Sequence, residues 1–223
     1  MIGAPIKLPD KTRNALPRCV GCDIKRHPVF FRKRETMNPV LLTIDLQKDF
    51  PRLFKLLKPH DGFDESVRQL TSFFRGRRMP IIHLLTRHKA DRSTWTLQMK
   101  RDNFSICIEG TEGCEELDAV GRLPGEAVMH KTRWSAFYGT DLDRILKKRG
   151  YDTLILAGFL SHACIRVTAL DAYQRDYGVI IARDCIDTYD AAHENITLDY
   201  LSRYVARILT NREIFSFFNQ ERT

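Results

Sequence analysis

The hydrophobic residues of the chain form short continuous runs, separated by longer stretches in which apolar positions recur at helical spacing. Short apolar runs bounded by polar or turn residues are typical of strands buried on both faces of a parallel sheet. Five such runs predict strands at residues 39–45, 79–86, 126–130, 153–157 and 179–182, and the apolar residues in 213–218 predict a sixth.

Helical periodicity predicts the elements between these strands. The helical stretches are residues 62–76, 141–149, a segment that begins at about Cys164, and 193–210. Thr140 is suited to cap the second of these helices and Gly150 to end it. Strands that alternate with helices in this way predict an α/β protein with a three-layer, doubly wound fold, in which helices cover both faces of a mostly parallel sheet.

The basic excess of the chain is concentrated in its first 38 residues. The net charge is +8, and residues 1–38 contain nine Lys or Arg and three acidic residues, which leaves +2 for residues 39–223. We therefore expect an irregular basic arm over 1–38 and one domain with a substantial core over 39–223. Because this domain is nearly neutral and has no apolar run of 18 residues, we expect neither a nucleic-acid partner nor a membrane span.

The six cysteines are scattered through the chain, and the N-terminus has no apolar core of a secretory signal. This usage predicts free thiols in a reducing compartment, the cytoplasm. Cys19 and Cys22 have the spacing of half a zinc site, and His27 could be a third ligand. A structural zinc site needs four ligands, so we expect two incidental thiols and no bound metal.

Cys164 is the first candidate for chemistry. It follows the predicted strand 153–157 and a turn that begins at Gly158, and it lies where a helix is expected to start. Backbone N–H groups at a helix start, and the positive end of the helix dipole, favour a thiolate and can also bind an oxyanion. The alternative is that Cys164 is a small core residue, which is the more common role of a free cysteine.

Two more reactive side chains follow other predicted strands. Asp45 ends the first strand and Lys131 directly follows the third. In doubly wound folds, ligands bind beyond the carboxyl ends of the strands. Each residue alone could be a strand-end cap or a solvated charge, but together with Cys164 they predict one reactive site at this edge of the sheet.

Three segments carry a resemblance to a known family: LLTIDLQKDF around Asp45, HKTRWSAFYGTDLDRIL from His130 onward, and LAGFLSHACIRVTALDA through Cys164. Over about residues 39–215 the chain resembles the isochorismatase-like cysteine hydrolases, which include nicotinamidases and N-carbamoylsarcosine amidase. The resemblance implies a catalytic triad of Asp45, Lys131 and Cys164. Asp45 would act as general base and then general acid, Lys131 would stabilise the thiolate and the carboxylate, and Cys164 would attack a carbonyl carbon to form a thioester.

The resemblance also implies a non-proline cis peptide bond between Phe159 and Leu160. This bond would direct the Leu160 N–H, together with that of Cys164, toward the oxyanion. Members of the family commonly form homo-oligomers, so a homodimer or homotetramer that acts on a small molecule is expected. Nicotinamidases bind a metal through an Asp-x-His pattern after the second strand, and residues 86–91 lack it. We therefore expect no metal or other cofactor.

Residues near the motifs are candidates for substrate contacts. Large aromatic side chains at Phe50, Trp95, Trp134 and Phe137 could line the pocket, although such residues are more often part of a core. The cations Arg87, Lys89 and Arg92 could pair with a substrate carboxylate. His162 lies two residues before Cys164, and its position in sequence is compatible with either a substrate-facing or a structural role.

The sequence thus favours a cysteine hydrolase that cleaves a C–N bond in a small amide, ureido or carbamoyl compound. The alternative within the family is hydrolysis of an isochorismate-type vinyl ether with Asp45 as general acid. Those branches lack the nucleophilic cysteine, which is present here at Cys164. An alternative of another class is a binding module whose sheet edge is catalytically idle.

Overall fold

The computed structural model describes residues 37–58 and 60–219. The basic arm, with Cys19 and Cys22, lies outside these residues except for its last two positions. Over the part of the chain that is described, six strands form one parallel sheet in the order β3-β2-β1-β4-β5-β6. The strands are β1 (Pro39–Ile44), β2 (Ile81–Thr86), β3 (Ala127–Lys131), β4 (Thr153–Phe159), β5 (Gly178–Asp187) and β6 (Ala206–Leu209).

Helices cover both faces of this sheet, which confirms the predicted doubly wound α/β fold. They are α1 (Asp49–Leu53), α2 (His60–Gly76), α3 (Leu97–Asp102), α4 (Leu142–Arg149), α5 (Arg166–Tyr173), α6 (Ala191–Tyr204) and α7 (Asn211–Asn219). A π-helical turn, Ser161–Ile165, joins β4 to α5, and 3₁₀ turns are formed by Glu112–Cys114 and Asp118–Val120. None of the helices described is long and apolar enough to cross a membrane.

Alternate residues of the strands build two hydrophobic cores. Leu41 of β1 faces a core that contains the apolar stripe of α2, whereas its neighbour Leu42 faces a core with residues of α4, α5 and α6. This is expected of strands covered on both faces, and it explains why they read as continuous apolar runs. The sheet is therefore a rigid platform whose strand ends hold the site.

Two predicted elements near the C-terminus are wrong. The helix expected over 193–210 ends at Tyr204, and Ala206–Leu209 forms strand β6 instead. The strand expected over 213–218 is helix α7, in which Ile214 is buried and Phe215 stacks on Phe73 with ring centroids 4.4 Å apart. A short apolar run of this kind is compatible with a strand or a helix, and the packing of residues 211–219 against α2 favours the helix.

Strand β5 is also longer than predicted, because it continues to Asp187 through an irregularity opposite Gly158 of β4. The Lys58 ammonium donates to the carbonyl oxygens of Arg183 and Ile186, and so satisfies acceptors that the irregular ladder leaves free. Before α4, the residue at the N-cap position is Asp141. The predicted cap, Thr140, lies one residue earlier; its hydroxyl accepts from Leu142 N at 3.3 Å, as a capping side chain does, and donates to the Ala136 carbonyl.

Candidate active site

Three strand ends bring Asp45, Lys131 and Cys164 together. Asp45 follows β1, Lys131 ends β3, and Cys164 lies in the π-helical turn after β4. Lys131 Nζ is 2.7 Å from Asp45 Oδ2 and 3.6 Å from Cys164 Sγ. The exposed fractions are 0% for Asp45, 2% for Lys131 and 4% for Cys164, so the cluster is closed to bulk water. The order of the strands places it where the winding of the sheet reverses, between β1 and β4.

Asp45 is held from both its backbone and its side chain. Its φ of +57° lies in the left-handed region, which Asp tolerates better than most residues, and its N–H donates to the Leu84 carbonyl at 2.9 Å. Carboxylate oxygen Oδ1 accepts from Thr86 N at 3.1 Å and from Thr86 Oγ1 at 2.7 Å. The other oxygen, Oδ2, faces Lys131.

Lys131 stays positively charged although it is buried. Burial is the largest single influence and lowers its pKa, but Asp45 and Cys164 together outweigh this effect and raise the pKa above its ordinary value. Its ammonium also donates to Thr86 Oγ1 at 3.0 Å and to the Arg133 carbonyl at 3.1 Å. Lys131 is thus a fixed positive charge between a carboxylate and a sulfur atom.

The surroundings of Cys164 act on its thiol in opposite directions. Burial raises the pKa of its thiol to about 12, although the Lys131 charge and a hydrogen bond from the Leu160 backbone oppose the rise. Burial and the neighbouring Asp45 carboxylate thus act against the thiolate, while Lys131 and the turn act in its favour. The sequence shows the residues that favour the thiolate, but the cost of burying its charge depends on tertiary packing.

The backbone beside Cys164 has the unusual geometry that the resemblance implied. The peptide bond between Phe159 and Leu160 is cis. One residue earlier, Gly158 has φ +131°, and a Cβ atom there would lie 1.8 Å from the Ile44 carbonyl oxygen. Only glycine allows β4 to approach β1 this closely. The close approach brings the end of β4, and with it the turn that carries Cys164, next to Asp45.

A cavity of about 320 Å³ opens onto Lys131 and Cys164. Two of the four predicted aromatic residues, Phe50 and Trp134, line it. Trp95 does not, because its indole N–H donates to the Lys89 carbonyl and its ring is buried in the core. Phe137 packs against Tyr177 in the core on the other face of the sheet.

Aromatic residues that the sequence analysis missed complete the wall. Phe54 stacks on Tyr189 with ring centroids 4.9 Å apart, and it also contacts Phe50 and Phe104, each at 6.1 Å. The spacing of Phe50 in α1 and Phe54 at its C-cap, four residues apart, was the available signal. Further apolar contacts to the cavity come from Met99, Ile106 and Leu160.

Two histidines lie on the cavity wall. His162 hydrogen-bonds to the Thr188 hydroxyl and meets Tyr189 edge to face, with ring centres 5.1 Å apart. His88 Nδ1 donates to the Thr94 carbonyl at 3.1 Å, which leaves Nε2 as the unprotonated nitrogen of the neutral ring. Burial lowers the pKa of both histidines, so both are neutral at pH 7.

The cations expected to face the substrate lie elsewhere. Arg87 pairs with Glu109 at 3.5 Å, the Arg92 guanidinium lies over the Trp95 ring, and neither these nor Lys89 lines the cavity. Arg133 also lines the cavity, and its Nη1 donates to the carbonyls of Thr94 and Thr132. Within residues 37–58 and 60–219, no group of three or more His, Cys, Asp or Glu side chains is placed to hold a metal ion.

Comparisons with known proteins agree with this fold. A family model described as the isochorismatase domain matches residues 39–213. Maleamate amidohydrolase of Pseudomonas putida is 35% identical over 118 residues, which cover 52% of this chain and 54% of the relative. The chain thus spans about half the length of this and several other curated relatives it matches.

Solved structures show the same fold. An isochorismatase family protein from Desulfovibrio vulgaris superposes with a TM-score of 0.72 at 26% identity, over 82% of this chain and 100% of that one. N-carbamoylsarcosine amidase from Thermoplasma acidophilum superposes with a TM-score of 0.65, also at 26% identity, over 78% of this chain and 96% of the other.

Proposed function

Because the chain belongs to the isochorismatase family, and because its strand ends assemble a thiol, a carboxylate and an ammonium, we propose that it is a cysteine hydrolase. The reaction is hydrolysis of the C–N bond in a small amide, ureido or carbamoyl compound, through a thioester on Cys164. One observation carries this proposal: a buried Lys131 ammonium lies 2.7 Å from Asp45 Oδ2 and 3.6 Å from Cys164 Sγ, at the floor of a cavity.

In the first half of the reaction, Asp45 removes the thiol proton as Cys164 Sγ attacks the carbonyl carbon. The two events are coupled in this proposal, because burial raises the pKa of the Cys164 thiol and so disfavours a free thiolate. The Lys131 charge stabilises the sulfur anion as it forms. The negative charge that develops on the carbonyl oxygen is assigned to the N–H groups of Leu160 and Cys164.

Asp45 then gives its proton to the substrate nitrogen, and the C–N bond breaks to release an amine or ammonia. In the second half, a water molecule loses a proton to Asp45 and attacks the thioester carbonyl. Cleavage of the C–S bond releases the acid, and the proton returns from Asp45 to sulfur. One water is consumed for each C–N bond, and the protein ends as it began.

The wall of the cavity suggests which compounds fit. Its surface is mostly aromatic and aliphatic, and a carboxylate, Asp102, lines it together with Arg133. The Arg133 guanidinium already donates to two backbone carbonyls. We therefore propose a substrate with a flat, uncharged apolar group next to the scissile carbonyl, in preference to one that carries a free carboxylate there.

The names of the relatives support C–N hydrolysis in general terms, since they include an amidohydrolase and an amidase. The test is a screen for ammonia release by the full-length protein over small amides and carbamoyl compounds. A matched pair decides the charge preference: cis-crotonamide and maleamate share a four-carbon unsaturated amide and differ in a methyl against a carboxylate. We expect turnover of uncharged amides, faster for cis-crotonamide than for maleamate, and none with Cys164→Ala.

The same variant separates the alternatives. If Cys164→Ala keeps more than a few per cent of the wild-type activity, covalent catalysis is excluded. If instead an isochorismate-type vinyl ether is hydrolysed equally by both proteins, Asp45 acts as an acid without the thiol. Absence of ammonia release from every compound would leave the binding module as the better description.

A further inference from the structure

The Thr86 hydroxyl lies between the carboxylate and the ammonium of the proposed triad. Its oxygen is 2.7 Å from Asp45 Oδ1 and 3.0 Å from Lys131 Nζ. An ammonium can only donate hydrogen bonds, and a carboxylate can only accept them. The single hydroxyl proton must therefore point to Asp45, while the oxygen accepts from Lys131. This orientation fits an ionised Asp45–Lys131 pair better than any other protonation state of the two side chains.

This arrangement gives the two carboxylate oxygens of Asp45 different roles. Thr86 occupies Oδ1 with both its N–H and its hydroxyl. Asp45 Oδ2 is buried and has no hydrogen-bond partner of good geometry among the described residues, although it forms the ion pair with Lys131. The oxygen left available for the thiol proton is thus Oδ2.

Thr86 is itself fixed by the side chain of Gln47, which is fully buried. The amide oxygen of Gln47 accepts from Thr86 N at 2.8 Å, and its nitrogen donates to Thr86 O at 2.9 Å and to Cys114 O at 2.8 Å. The two hydrogen bonds between the Gln47 side chain and the Thr86 backbone resemble those between neighbouring strands. Gln47 therefore continues the β1–β2 ladder past the last residue of β1.

We propose that Thr86 is a positioning residue for the Asp45–Lys131 pair, and that Gln47 holds Thr86 in place. The inference rests on the proposed function, because it assigns Asp45 the role of proton acceptor from Cys164. Without the hydroxyl, the carboxylate loses the contact that turns Oδ2 toward the thiol, and the ammonium loses one of its acceptors. Proton transfer from sulfur then slows, while substrate binding is little affected.

The test compares Thr86→Val, which keeps the shape and removes the hydroxyl, with Thr86→Ser, which keeps the hydroxyl and removes the methyl. With the best amide from the screen, we expect Thr86→Val to lower kcat by about 10- to 100-fold with KM within about threefold of wild type. Thr86→Ser should restore kcat to within about threefold. Thr197→Val is the control, because the Thr197 hydroxyl is buried and has no hydrogen-bond partner among residues 37–58 and 60–219.

A second readout needs no substrate. The rate at which iodoacetamide labels Cys164 at pH 7, followed by mass spectrometry, should fall in Thr86→Val and be retained in Thr86→Ser. We expect a fall in Asp45→Asn as well, because that variant removes the proposed acceptor of the thiol proton. A wild type without amide turnover refutes the proposed function but leaves this readout intact. The positioning role is refuted if Thr86→Val labels and turns over like wild type, if Thr86→Ser is as impaired as Thr86→Val, or if only KM changes.

Discussion

Lys131 Nζ lies 2.7 Å from Asp45 Oδ2, and both side chains are excluded from solvent. A buried ion pair stabilises a protein only by the amount by which the attraction between the charges exceeds the cost of removing both charges from water. Removing one partner therefore leaves a buried charge without compensation. The pair accordingly has two roles in this protein, one in holding the strand ends together and one in the chemistry of the thiol.

Replacing Lys131 separates these roles. Lys131→Met keeps the length and removes the charge that lowers the pKa of the Cys164 thiol. We expect iodoacetamide to label Cys164 more slowly and the labelling profile to move to higher pH, with amide turnover at least about 100-fold lower. Lys131→Arg keeps the charge, but its planar guanidinium does not fit the place of a compact ammonium, so turnover should also fall steeply.

The control is Lys147→Met, which removes an exposed lysine paired with Asp143 on α4. It should label and turn over like wild type. An unchanged labelling profile in Lys131→Met would show that Lys131 is not an electrostatic partner of the cysteine.

The two tryptophans should respond in opposite ways. Trp134 lines the cavity and is 55% exposed, whereas Trp95 is 7% exposed and packs in the core. Trp134→Ala should raise KM several-fold and change the free energy of unfolding by less than about 1 kcal/mol. Trp95→Ala should lower the free energy of unfolding by about 3–5 kcal/mol, measured by urea denaturation. Equal losses of stability in the two variants would contradict this assignment.

Gly158 should tolerate no side chain. In Gly158→Ala the new Cβ would meet the Ile44 carbonyl oxygen at 1.8 Å, in a backbone conformation with φ +131°. We expect a loss of about 3 kcal/mol or more in the free energy of unfolding, or failure to accumulate as soluble protein. Gly62→Ala in α2 is the matched control, because no atom lies within 4 Å of its Cβ position. Its melting temperature should be unchanged or slightly higher.

Stability should fall in mild acid because of the histidines at the cavity. Burial lowers the pKa of His88 and His162 in the folded protein, so the unfolded chain binds protons first as the pH falls. Above the ordinary histidine pKa of about 6.5, these two residues make their full contribution to the free energy of unfolding. That contribution is lost as the pH falls from there through the lower pKa that they have in the folded protein. The melting temperature should drop less between pH 7.5 and 5.5 in His88→Gln than in wild type.

His60→Gln serves as the comparison, because His60 is exposed on α2. It should keep the full wild-type drop. A wild-type melting temperature that does not change over this interval would contradict the assignment of neutral, buried histidines.

The sequence allowed the convergence of Asp45, Lys131 and Cys164 to be predicted, because each follows a continuous apolar run and parallel strands end at a common edge. It did not allow the fate of single aromatic residues to be predicted. Trp95 and Trp134 both lie near motif positions, and only the path of the chain between β2 and β3 and after β3 decides which one reaches the cavity. The effect of burial on the pKa of Cys164 could not be predicted for a related reason, since burial is a property of the assembled layers.

Thr86 and Gln47 illustrate a second limit. Both residues are visible in the sequence, Gln47 within LLTIDLQKDF and Thr86 at the end of the second apolar run. Their hydrogen bonds depend on the register of β1 against β2, which pairs Ile44 with Leu84 and so brings residues 45–47 beside residue 86. A shift of one residue would turn both side chains to the wrong face.

Among the strands that the structure describes, β3 lies at the edge of the sheet and pairs with β2 alone; two of its residues are exposed, two are half-buried, and Lys131 is buried. The lysine of the proposed triad is thus carried by a weakly anchored element, while Asp45 and Cys164 follow central strands. Edge strands open at lower free energy than the body of a sheet. Activity should therefore be lost more easily than the fold. As the urea concentration rises, fraying of β3 should abolish turnover at concentrations where the circular dichroism of the helices is still native.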